Sequence, residues 1–305
     1  MSGNESTDAR RHELQLSVVI PAYNEELAIE KEIAGLHEVL RATGLSYEVI
    51  VVDDGSKDRT AEIAARCECR LLRNGRNRGY GASLKRGIAA AHAERILITD
   101  ADGTYPPSSI PALLAQADAY DMVVGARTGA NVHHSLVRAP AKLVLRKLAS
   151  FLAGQNIPDL NSGMRVLRRS HVQMFSRILP AGFSFTTTIT LALLCTDRTV
   201  GYVSVDYGKR TGSSKIRPTH AYHFLILILR VIVLFNPLKV FLPLGAFSFL
   251  VGVAKFVYDV HLDNLSETAV MGLLGGVIVW SVGLLADQNA RLNLERWDTA
   301  EPSTE

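Results

Sequence analysis

The sequence is poor in cysteine and nearly balanced in charge, and each property excludes a class of protein. Only three of its 305 residues are cysteines, which is too few for a disulfide framework. Cys67 and Cys69 lack the second pair of ligands that a structural zinc site needs. We expect them, like Cys195, to be reduced thiols on the cytosolic side.

The 33 basic and 30 acidic residues leave a net charge of +3, which gives no indication of nucleic-acid binding.

The N-terminal residues lack the apolar core of a signal peptide, and we expect residues 1–15 to form a disordered tail. Hydrophobic residues make up 48% of the chain, but they are concentrated after residue 220. Residues 238–290 contain two stretches long enough to cross a bilayer, which predicts two transmembrane helices. Residues 291–305 are then expected to form a cytosolic tail.

The apolar segment before these two helices is interrupted by one charge. We interpret residues 218–237 as an amphipathic helix at the membrane interface, with Arg230 extending to the headgroups. Its apolar part, residues 221–235, is nearly long enough to span a bilayer, and so a third span stays open. The loop between the two predicted spans has no lysine or arginine, whereas Arg291 and Arg296 follow the second span. This distribution predicts a multi-pass protein of the cell membrane whose N-terminal domain and both termini are cytoplasmic.

Short apolar stretches alternate with helix-like segments in the N-terminal part, and this alternation predicts an α/β domain with a mostly parallel sheet. Asn24 is expected to cap the first helix, in which Ile29, Ile33 and Leu36 recur at helical spacing. Four stretches are typical of buried strands: Leu16–Ile20, Tyr47–Val52, Ile96–Thr99 and Met122–Gly125.

Two carboxylates, Asp100 and Asp102, follow the third of these strands. An open α/β sheet binds its ligands beyond the carboxyl ends of its strands, and carboxylate oxygens are ligands that Mg2+ or Mn2+ prefers. Such a cation would connect the protein to a diphosphate. For these residues alone, a turn that uses aspartate for its geometry is an equally good explanation.

Asp53 and Asp54 follow the second strand in the same way. Carboxylates at this position would accept hydrogen bonds from ribose hydroxyls and from a base N–H, which favours a nucleotide-sugar pocket. A turn followed by a helix cap is the commoner explanation for such a pair alone. The stretch Asn77–Gly81 is similar to a dinucleotide fingerprint, but Leu84 stands in the place of the third glycine and excludes it.

Four motifs, LSVVIPAYNEE, VVDDGSKDRT, NRGYGASLKRGI and TDADGTYPP, occur in this order within residues 16–215. They resemble those of family 2 glycosyltransferases, and the resemblance implies a GT-A domain, a Rossmann-like α/β fold, at residues 16–217. Three later motifs, SGMRVLRR, GFSFTTTIT and YGKRTGSSKIRP, are followed by apolar helices. They resemble the polyprenyl-phosphate sugar synthases of the dolichol-phosphate mannose synthase type.

The resemblance also implies roles for individual residues. Asp100 and Asp102 would serve the metal and the diphosphate. Five residues would line the nucleoside site: Pro21, Tyr23, Glu25, Asp53 and Asp54. Four residues would face phosphates of the donor or the acceptor: Arg127, Arg210, Ser214 and Lys215. Some relatives use an amide two residues after the second aspartate as a metal ligand, whereas this chain has Thr104, so the identity and affinity of the metal stay open.

Acidic residues are missing between His171 and Thr196, where relatives that act on hydroxyl groups often carry an acidic motif. Sugar transfer to a hydroxyl usually needs a carboxylate base. A phosphate monoester does not, because its second pKa is about 6 and it is already ionised at neutral pH. The absence therefore favours a polyprenyl phosphate acceptor, positioned by Arg127, Arg210 and Lys215.

These inferences predict a membrane-bound inverting glycosyltransferase that moves one sugar from a nucleotide-sugar to a polyprenyl or dolichyl phosphate at the cytosolic face. GDP-mannose and UDP-glucose are both open as donors, and a homo-oligomer is left open. A processive polysaccharide synthase is one alternative, disfavoured because NLERW at 293–297 departs from Q-x-x-R-W and the chain has few apolar helices. The other alternative is a non-catalytic membrane scaffold that binds a lipid carrier, which the intact Asp100 and Asp102 disfavour.

Overall fold

The protein consists of two compact units, Met1–Leu225 and Ile226–Glu305. The computed structural model describes residues 14–128, 146–147, 149–151, 154–182, 184–208, 226, 229–230, 233–262 and 266–298, with side chains of the last range described up to 292. The first unit contains a β-sheet and its helices, and the second contains two long helices.

Seven strands form one sheet: β1 Leu16–Ala22, β2 Tyr47–Asp53, β3 Arg70–Arg73, β4 Arg95–Ile98, β5 Met122–Ala126, β6 Arg165–Arg168 and β7 Val200–Ser204. Their order across the sheet is β3-β2-β1-β4-β6-β5-β7. Strand β6 is antiparallel to both of its neighbours, and the other pairs are parallel. The predicted α/β fold with a mostly parallel sheet is therefore confirmed.

The central strand β1 is buried along its whole length, as is typical of a strand covered on both faces of a sheet. The strand does not end at Ile20, as the sequence predicted. Pro21 is included, paired with Val52, and the strand continues to Ala22. This extension places the end of β1 level with the end of β2.

Helices of very different length lie between the strands: α1 Ile29–Thr43, α2 Thr60–Ala64, α3 Tyr80–Ala90, α4 Ile110–Leu114, α5 Arg169–Met174 and α6 Phe185–Cys195. Ile29, Ile33 and Leu36 are buried on α1 at the predicted spacing. The prediction that Asn24 caps this helix was wrong. Asn24 adopts a positive φ of 55° and its Oδ1 accepts a hydrogen bond from the Lys57 N–H at 2.9 Å, because a separate turn lies between Asn24 and the helix.

The second unit contains the helices α7 Leu238–His261 and α8 Glu267–Asp298. Each includes a segment that is long and apolar enough to cross a membrane, with mean hydropathies of 2.0 and 2.2. Two C-terminal helices able to span a membrane were predicted. Helix α8 continues beyond the predicted boundary at residue 290. Most of the predicted interface helix, 218–237, and most of the tail, 1–15, lie outside the described residues.

Glycines let α7 and α8 approach each other closely. A Cβ on Gly252 would lie 2.7 Å from the carbonyl carbon of Gly272, and a Cβ on Gly276 would lie 2.7 Å from the Cβ of Phe249. Small residues are the usual means of close helix packing in membranes. At the turn, Asp259 accepts hydrogen bonds from the N–H and hydroxyl of Ser266, which joins the end of α7 to the start of α8.

Candidate active site

The carboxyl ends of β1, β2 and β4 meet at one edge of the sheet, because these neighbouring strands are parallel. Val19 of β1 is paired with Ile98 of β4, and the N–H of Asp54 donates to the carbonyl of Ala22 at 2.8 Å. The acidic residues that follow β2 and those that follow β4 therefore lie along the same edge. This edge is where an open α/β sheet binds its ligands.

Asp102 is oriented by Thr104. Its Oδ1 accepts hydrogen bonds from the N–H of Thr104 at 3.1 Å and from the hydroxyl of Thr104 at 2.6 Å. Both residues are buried. The hydroxyl that stands where some relatives have a ligating amide thus donates to Asp102. Hydrogen bonds of this kind orient metal ligands in many proteins.

Asp100 is held from two sides. The hydroxyl of Tyr80, the first residue of α3, donates to its Oδ1 at 3.0 Å. Gly163 packs against the same carboxylate, and a Cβ at Gly163 would lie 2.8 Å from Asp100 Cγ. The orientation of Asp100 is therefore determined by residues that are distant from it in the sequence.

Glu32 of α1 is a third carboxyl group close to these two aspartates. It is only 4% exposed, and its Oε1 has no hydrogen-bond partner among the described residues. Burial and, to a smaller extent, the charges of Asp102 and Asp100 raise the pKa of Glu32 from 4.5 to about 8. The charges of Asp100 and Asp102 therefore act on a third, mostly protonated carboxyl group, and a divalent cation would offset those charges.

Asp54 is engaged by the loop that precedes α3. Its Oδ1 accepts from Asn74 Nδ2 at 2.7 Å and from the Arg78 N–H at 2.9 Å, and its Oδ2 accepts from the Gly79 N–H at 2.8 Å. Both oxygens of this predicted nucleoside-site residue are therefore used within the protein. Its observed role is to fix the loop.

The other predicted nucleoside-site residues surround the ends of β1 and β2. Asp53 is buried, and its Oδ1 accepts from the Ser56 N–H at 3.2 Å. Pro21 is buried within β1, whereas Tyr23 and Glu25 lie half-buried in the loop that follows. The structure therefore brings these four residues to one end of the sheet, next to the loop that Asp54 fixes.

Arg127, at the end of β5, forms a bidentate ion pair with Asp159. Its Nε and Nη2 donate to the two carboxylate oxygens at 2.7 and 2.9 Å, and its guanidinium carbon lies 5.2 Å from the centre of the Tyr207 ring. Burial alone would raise the pKa of Asp159, but hydrogen bonds and charge from Arg127 outweigh burial and lower it. The phosphate contact predicted for Arg127 stays a prediction, and two of its donors are committed to Asp159.

The motif SGMR contributes to the packing under the site. The Ser162 hydroxyl donates to the carbonyl of Gly125 at 2.5 Å, and the Gly163 N–H donates to the Tyr105 hydroxyl at 2.7 Å. Arg165 is fully buried and donates to the carbonyl of Thr186 at 3.0 Å. Residues of the motif GFSFTTTIT therefore support Arg165 within the protein interior.

Three predicted site residues, Arg210, Ser214 and Lys215, lie outside the described residues. The chain before them is described as far as Gly208, whose N–H donates to the carbonyl of Thr104 at 2.8 Å. The last described residue before this segment is therefore in contact with the loop that contains Asp100 and Asp102.

Sequence reasoning assigned no site role to Glu32, Tyr80 or Asp159, and it counted Arg165 only as one of many positive charges. A signal for Glu32 was available, since it falls on the apolar face of α1 between Ile29 and Ile33. Tyr80 and Arg165 lie in the motifs NRGYGASLKRGI and SGMRVLRR, but their individual contacts, like those of Asp159, are with residues far away in the chain.

The donor set at the site fits a divalent cation held jointly by protein and diphosphate. Among the described residues, no cluster of three or more histidine, cysteine or acidic side chains is placed to hold a metal ion. Two carboxylates at a strand end, oriented by Thr104 and Tyr80, supply hard oxygen ligands of the type that Mg2+ and Mn2+ use together with phosphate oxygens.

Comparison with known proteins gives two family matches. Residues 17–175 match the model of glycosyl transferase family 2, and residues 236–292 match the GtrB C-terminal hairpin. The chain is 34% identical to the dolichyl-phosphate hexose transferase of Haloferax volcanii over 206 residues, which cover 67% of this chain and 87% of that protein. It is 34% identical over 169 residues to the undecaprenyl-phosphate 4-deoxy-4-formamido-L-arabinose transferase of Photorhabdus laumondii, covering 52% of this chain and 50% of that protein.

Solved structures share the fold over about three quarters of the chain. Glucosyl-3-phosphoglycerate synthase from Mycobacterium tuberculosis, in complex with Mn2+, UDP and phosphoglyceric acid, is similar with a TM-score of 0.58 and 22% identity. The match covers 75% of this chain and 82% of that chain. A structure of the same enzyme with Mg2+ and UDP gives a TM-score of 0.56 and 20% identity, covering 74% and 82% of the two chains. These likenesses confirm the predicted GT-A type of fold.

Proposed function

Because the chain belongs to glycosyl transferase family 2, we propose that it transfers one sugar, with inversion, from a nucleotide-sugar to a polyprenyl phosphate at the cytosolic face of a membrane. The observation that carries the proposal is the edge of the sheet at which Asp53, Asp100 and Asp102 lie together. Relatives that transfer sugars to dolichyl or undecaprenyl phosphate support the lipid acceptor.

The donor would bind across this edge. Asp53, Tyr23 and Glu25 would surround the nucleoside. Asp54 would act indirectly, through the loop that its carboxylate holds. Asp100 and Asp102 would hold Mg2+ or Mn2+ on the diphosphate, and a cation bound there would stabilise the charge that develops on the departing nucleoside diphosphate.

The acceptor phosphate would attack without a protein base. Asp159, the carboxylate next to Arg127, is a poor base because its ion pair lowers its pKa. The protein then has to position an ionised phosphate, and Arg127, Arg210 and Lys215 are the cations proposed for this task. Ser214 would add a hydroxyl donor to the same phosphates.

The proposed orientation in the membrane follows from the two helices and from the charges around them. Helices α7 and α8 would cross the bilayer, which leaves the catalytic unit and the C-terminus on the cytoplasmic side. Lys255 lies near the opposite end of α7, but its ammonium group forms an ion pair with Asp259, so it contributes little net positive charge there.

Asn264→Cys, in a variant without other cysteines, should react with an impermeant thiol reagent in intact cells, whereas Ser303→Cys should react only after permeabilisation. The reverse pattern would contradict this orientation.

The experiment that tests the proposal offers the purified full-length protein a panel of labelled nucleotide-sugars, with and without a polyprenyl phosphate. We expect a labelled product that partitions into organic solvent, formed with one donor and only when the lipid phosphate and Mg2+ or Mn2+ are present. EDTA should abolish formation of the labelled product because it removes the cation. Asp102→Asn should abolish it because the variant lacks a charge that holds the cation. Asp118→Asn, which changes an exposed carboxylate far from the strand end, is the matched control and should keep full activity.

Two outcomes would contradict the proposal. Label in a polymer would indicate a processive synthase, and full activity of Asp102→Asn in EDTA would exclude the proposed metal role. The panel also decides between GDP-mannose, UDP-glucose and other donors, which the described residues do not distinguish.

A further inference from the structure

Tyr80 stands at the end of a loop that is fixed from two directions. On one side, Asp54 accepts hydrogen bonds from the N–H groups of Arg78 and Gly79 at 2.9 and 2.8 Å. On the other side, the Ala82 N–H donates to the carbonyl of Ala181 at 2.9 Å. Gly79 has a φ of +98°, and a Cβ there would lie 2.6 Å from the same carbonyl oxygen. The start of α3 therefore has little freedom to move.

The Tyr80 side chain extends from this fixed point to Asp100. Its hydroxyl donates to Oδ1 at 3.0 Å, and a hydrogen bond to a carboxylate is stronger than one between neutral groups. An ordinary tyrosine hydroxyl ionises only near pH 10, so a tyrosine at this position can donate to the carboxylate at neutral pH. Gly163 lies close to the same carboxylate, so that a Cβ there would collide with it.

We propose that Tyr80 is a positioning residue that holds the Asp100 carboxylate in the orientation required to bind the divalent cation. This inference rests on the proposed function, because it assumes a cation held by Asp100 and Asp102. Through the loop, Tyr80 also connects Asp54, at the nucleoside end, with Asp100, at the diphosphate end. The hydroxyl acts through Asp100 and does not itself touch the reacting atoms.

A second tyrosine provides the matched control. Tyr202 of β7 also has a buried hydroxyl oxygen, but this oxygen has no hydrogen-bond partner among the described residues. Tyr80→Phe and Tyr202→Phe remove the same atom from similar surroundings, and only the first removes a hydrogen bond to the site. Tyr202→Phe therefore shows whether removing a buried tyrosine hydroxyl changes Mn2+ binding when no hydrogen bond to the site is lost.

The test measures Mn2+ binding directly, by electron paramagnetic resonance of the full-length protein in detergent with UDP or GDP present. For Tyr80→Phe we expect the dissociation constant for Mn2+ to rise about tenfold, the low end of the effect of outer-shell partners at metal sites. Transfer should be restored in part by raising the Mn2+ concentration. The unfolding temperature, measured by calorimetry, should fall by a few degrees at most, as expected for the loss of one hydrogen bond, and Tyr202→Phe should bind Mn2+ as the wild type does.

The possible failures are distinguishable. Unchanged Mn2+ binding in Tyr80→Phe, or an equal loss in Tyr202→Phe, would overturn the role of Tyr80 while leaving the proposed function intact. A wild-type protein that neither binds Mn2+ nor transfers sugar would remove the proposed function, and the positioning role with it.

Discussion

Glu32 is the residue at which the electrostatics of the site and the stability of the domain are linked. It lies on the buried face of α1, with Asp102 and Asp100 close enough to raise its pKa beyond the effect of burial. Its folded-state pKa of about 8 is far above its ordinary value of 4.5. Between these two pH values the unfolded chain releases the proton and the folded protein keeps it, so Glu32 lowers the stability progressively as pH rises.

We therefore predict that Glu32→Gln stabilises the metal-free protein at high pH. The amide does not titrate, so the penalty that develops between about pH 4.5 and 8 disappears. The unfolding temperature in EDTA, measured by calorimetry, should exceed that of the wild type by a few degrees at pH 8 and by little at pH 5. Glu30→Gln, an exposed change on the same helix, is the control and should show no such trend. An equal difference at both pH values would contradict the electrostatic explanation.

Gly163 has no side chain, and this leaves room for the carboxylate of Asp100. Its backbone does not adopt a positive φ, so alanine is acceptable to the chain itself, but the new Cβ would collide with the Asp100 carboxylate. We predict that Gly163→Ala lowers the rate of transfer by at least about 100-fold, a loss that displacing one group at a reaction centre can cause. Steady-state kinetics measures it. Gly75→Ala, which would meet no atom within 4 Å, should be harmless, and equal activity of the two variants would show that Asp100 tolerates displacement.

At the level of elements, the pair α7 and α8 depends on contact between backbones. Gly252 and Gly272 face each other so closely that no side chain fits between them. Trp280 packs in the same interface, where a ring contact with Phe249 at 5.3 Å and a hydrogen bond to the Leu242 carbonyl at 3.1 Å hold it. Tryptophan fluorescence can therefore report on the separation of these helices.

We predict that Gly252→Leu separates α7 from α8, because overpacking a tight contact costs about 1–3 kcal/mol and small residues let membrane helices associate. In a Trp297→Phe background, emission then comes from Trp280 alone, and it should shift to shorter wavelength because the indole loses its hydrogen bond to the Leu242 carbonyl and meets apolar acyl chains. Val251→Leu changes an outward-facing position that is 51% exposed and should leave the spectrum unchanged. The same spectrum in all three proteins would mean that this contact does not hold the pair together.

The elements also show which parts of the fold the sequence was able to predict. Strands β1, β2, β4 and β5 were predicted because buried apolar runs are a local signal. Strand β6, with the sequence RVLR, gave no such signal, since it begins with an arginine whose burial depends on acceptors from a distant helix. Its insertion between β4 and β5 is a long-range pairing that no local pattern encodes.

The same distinction applies to the site. Asp53, Asp100 and Asp102 were predicted from their positions directly after apolar strands, which is a local property. Tyr80 and Asp159 are included in the candidate site because the fold brings them into contact with Asp100 and Arg127. The engagement of Asp54 by the loop before α3 likewise depends on a contact across more than twenty residues of sequence.

On the scale of the whole molecule, the central question is how a catalytic unit at a membrane activates its acceptor. Two acidic residues outside the predicted acid-free segment lie near the relevant strand ends. Asp159 is neutralised by Arg127, and Asp206, which follows β7, is exposed. If the acceptor is a phosphate monoester, neither is needed, because the nucleophile is ionised before it binds. If the acceptor is a hydroxyl, Asp206 is the candidate base that the described part of the chain offers.

We predict that the rate of transfer, measured as kcat/KM for the lipid phosphate, rises with a midpoint near the second phosphate ionisation, about pH 6, and stays constant above it. A phosphonate analogue of the lipid, which ionises at higher pH, should move the midpoint upwards by the difference between the two acceptors. A base on the protein would leave the midpoint where it was, since its pKa belongs to the protein.

Asp206→Asn should keep the profile of the wild type, and free polyprenol should not accept sugar. Efficient transfer to polyprenol would instead identify a hydroxyl acceptor, and loss of the alkaline plateau in Asp206→Asn would identify a carboxylate base after β7.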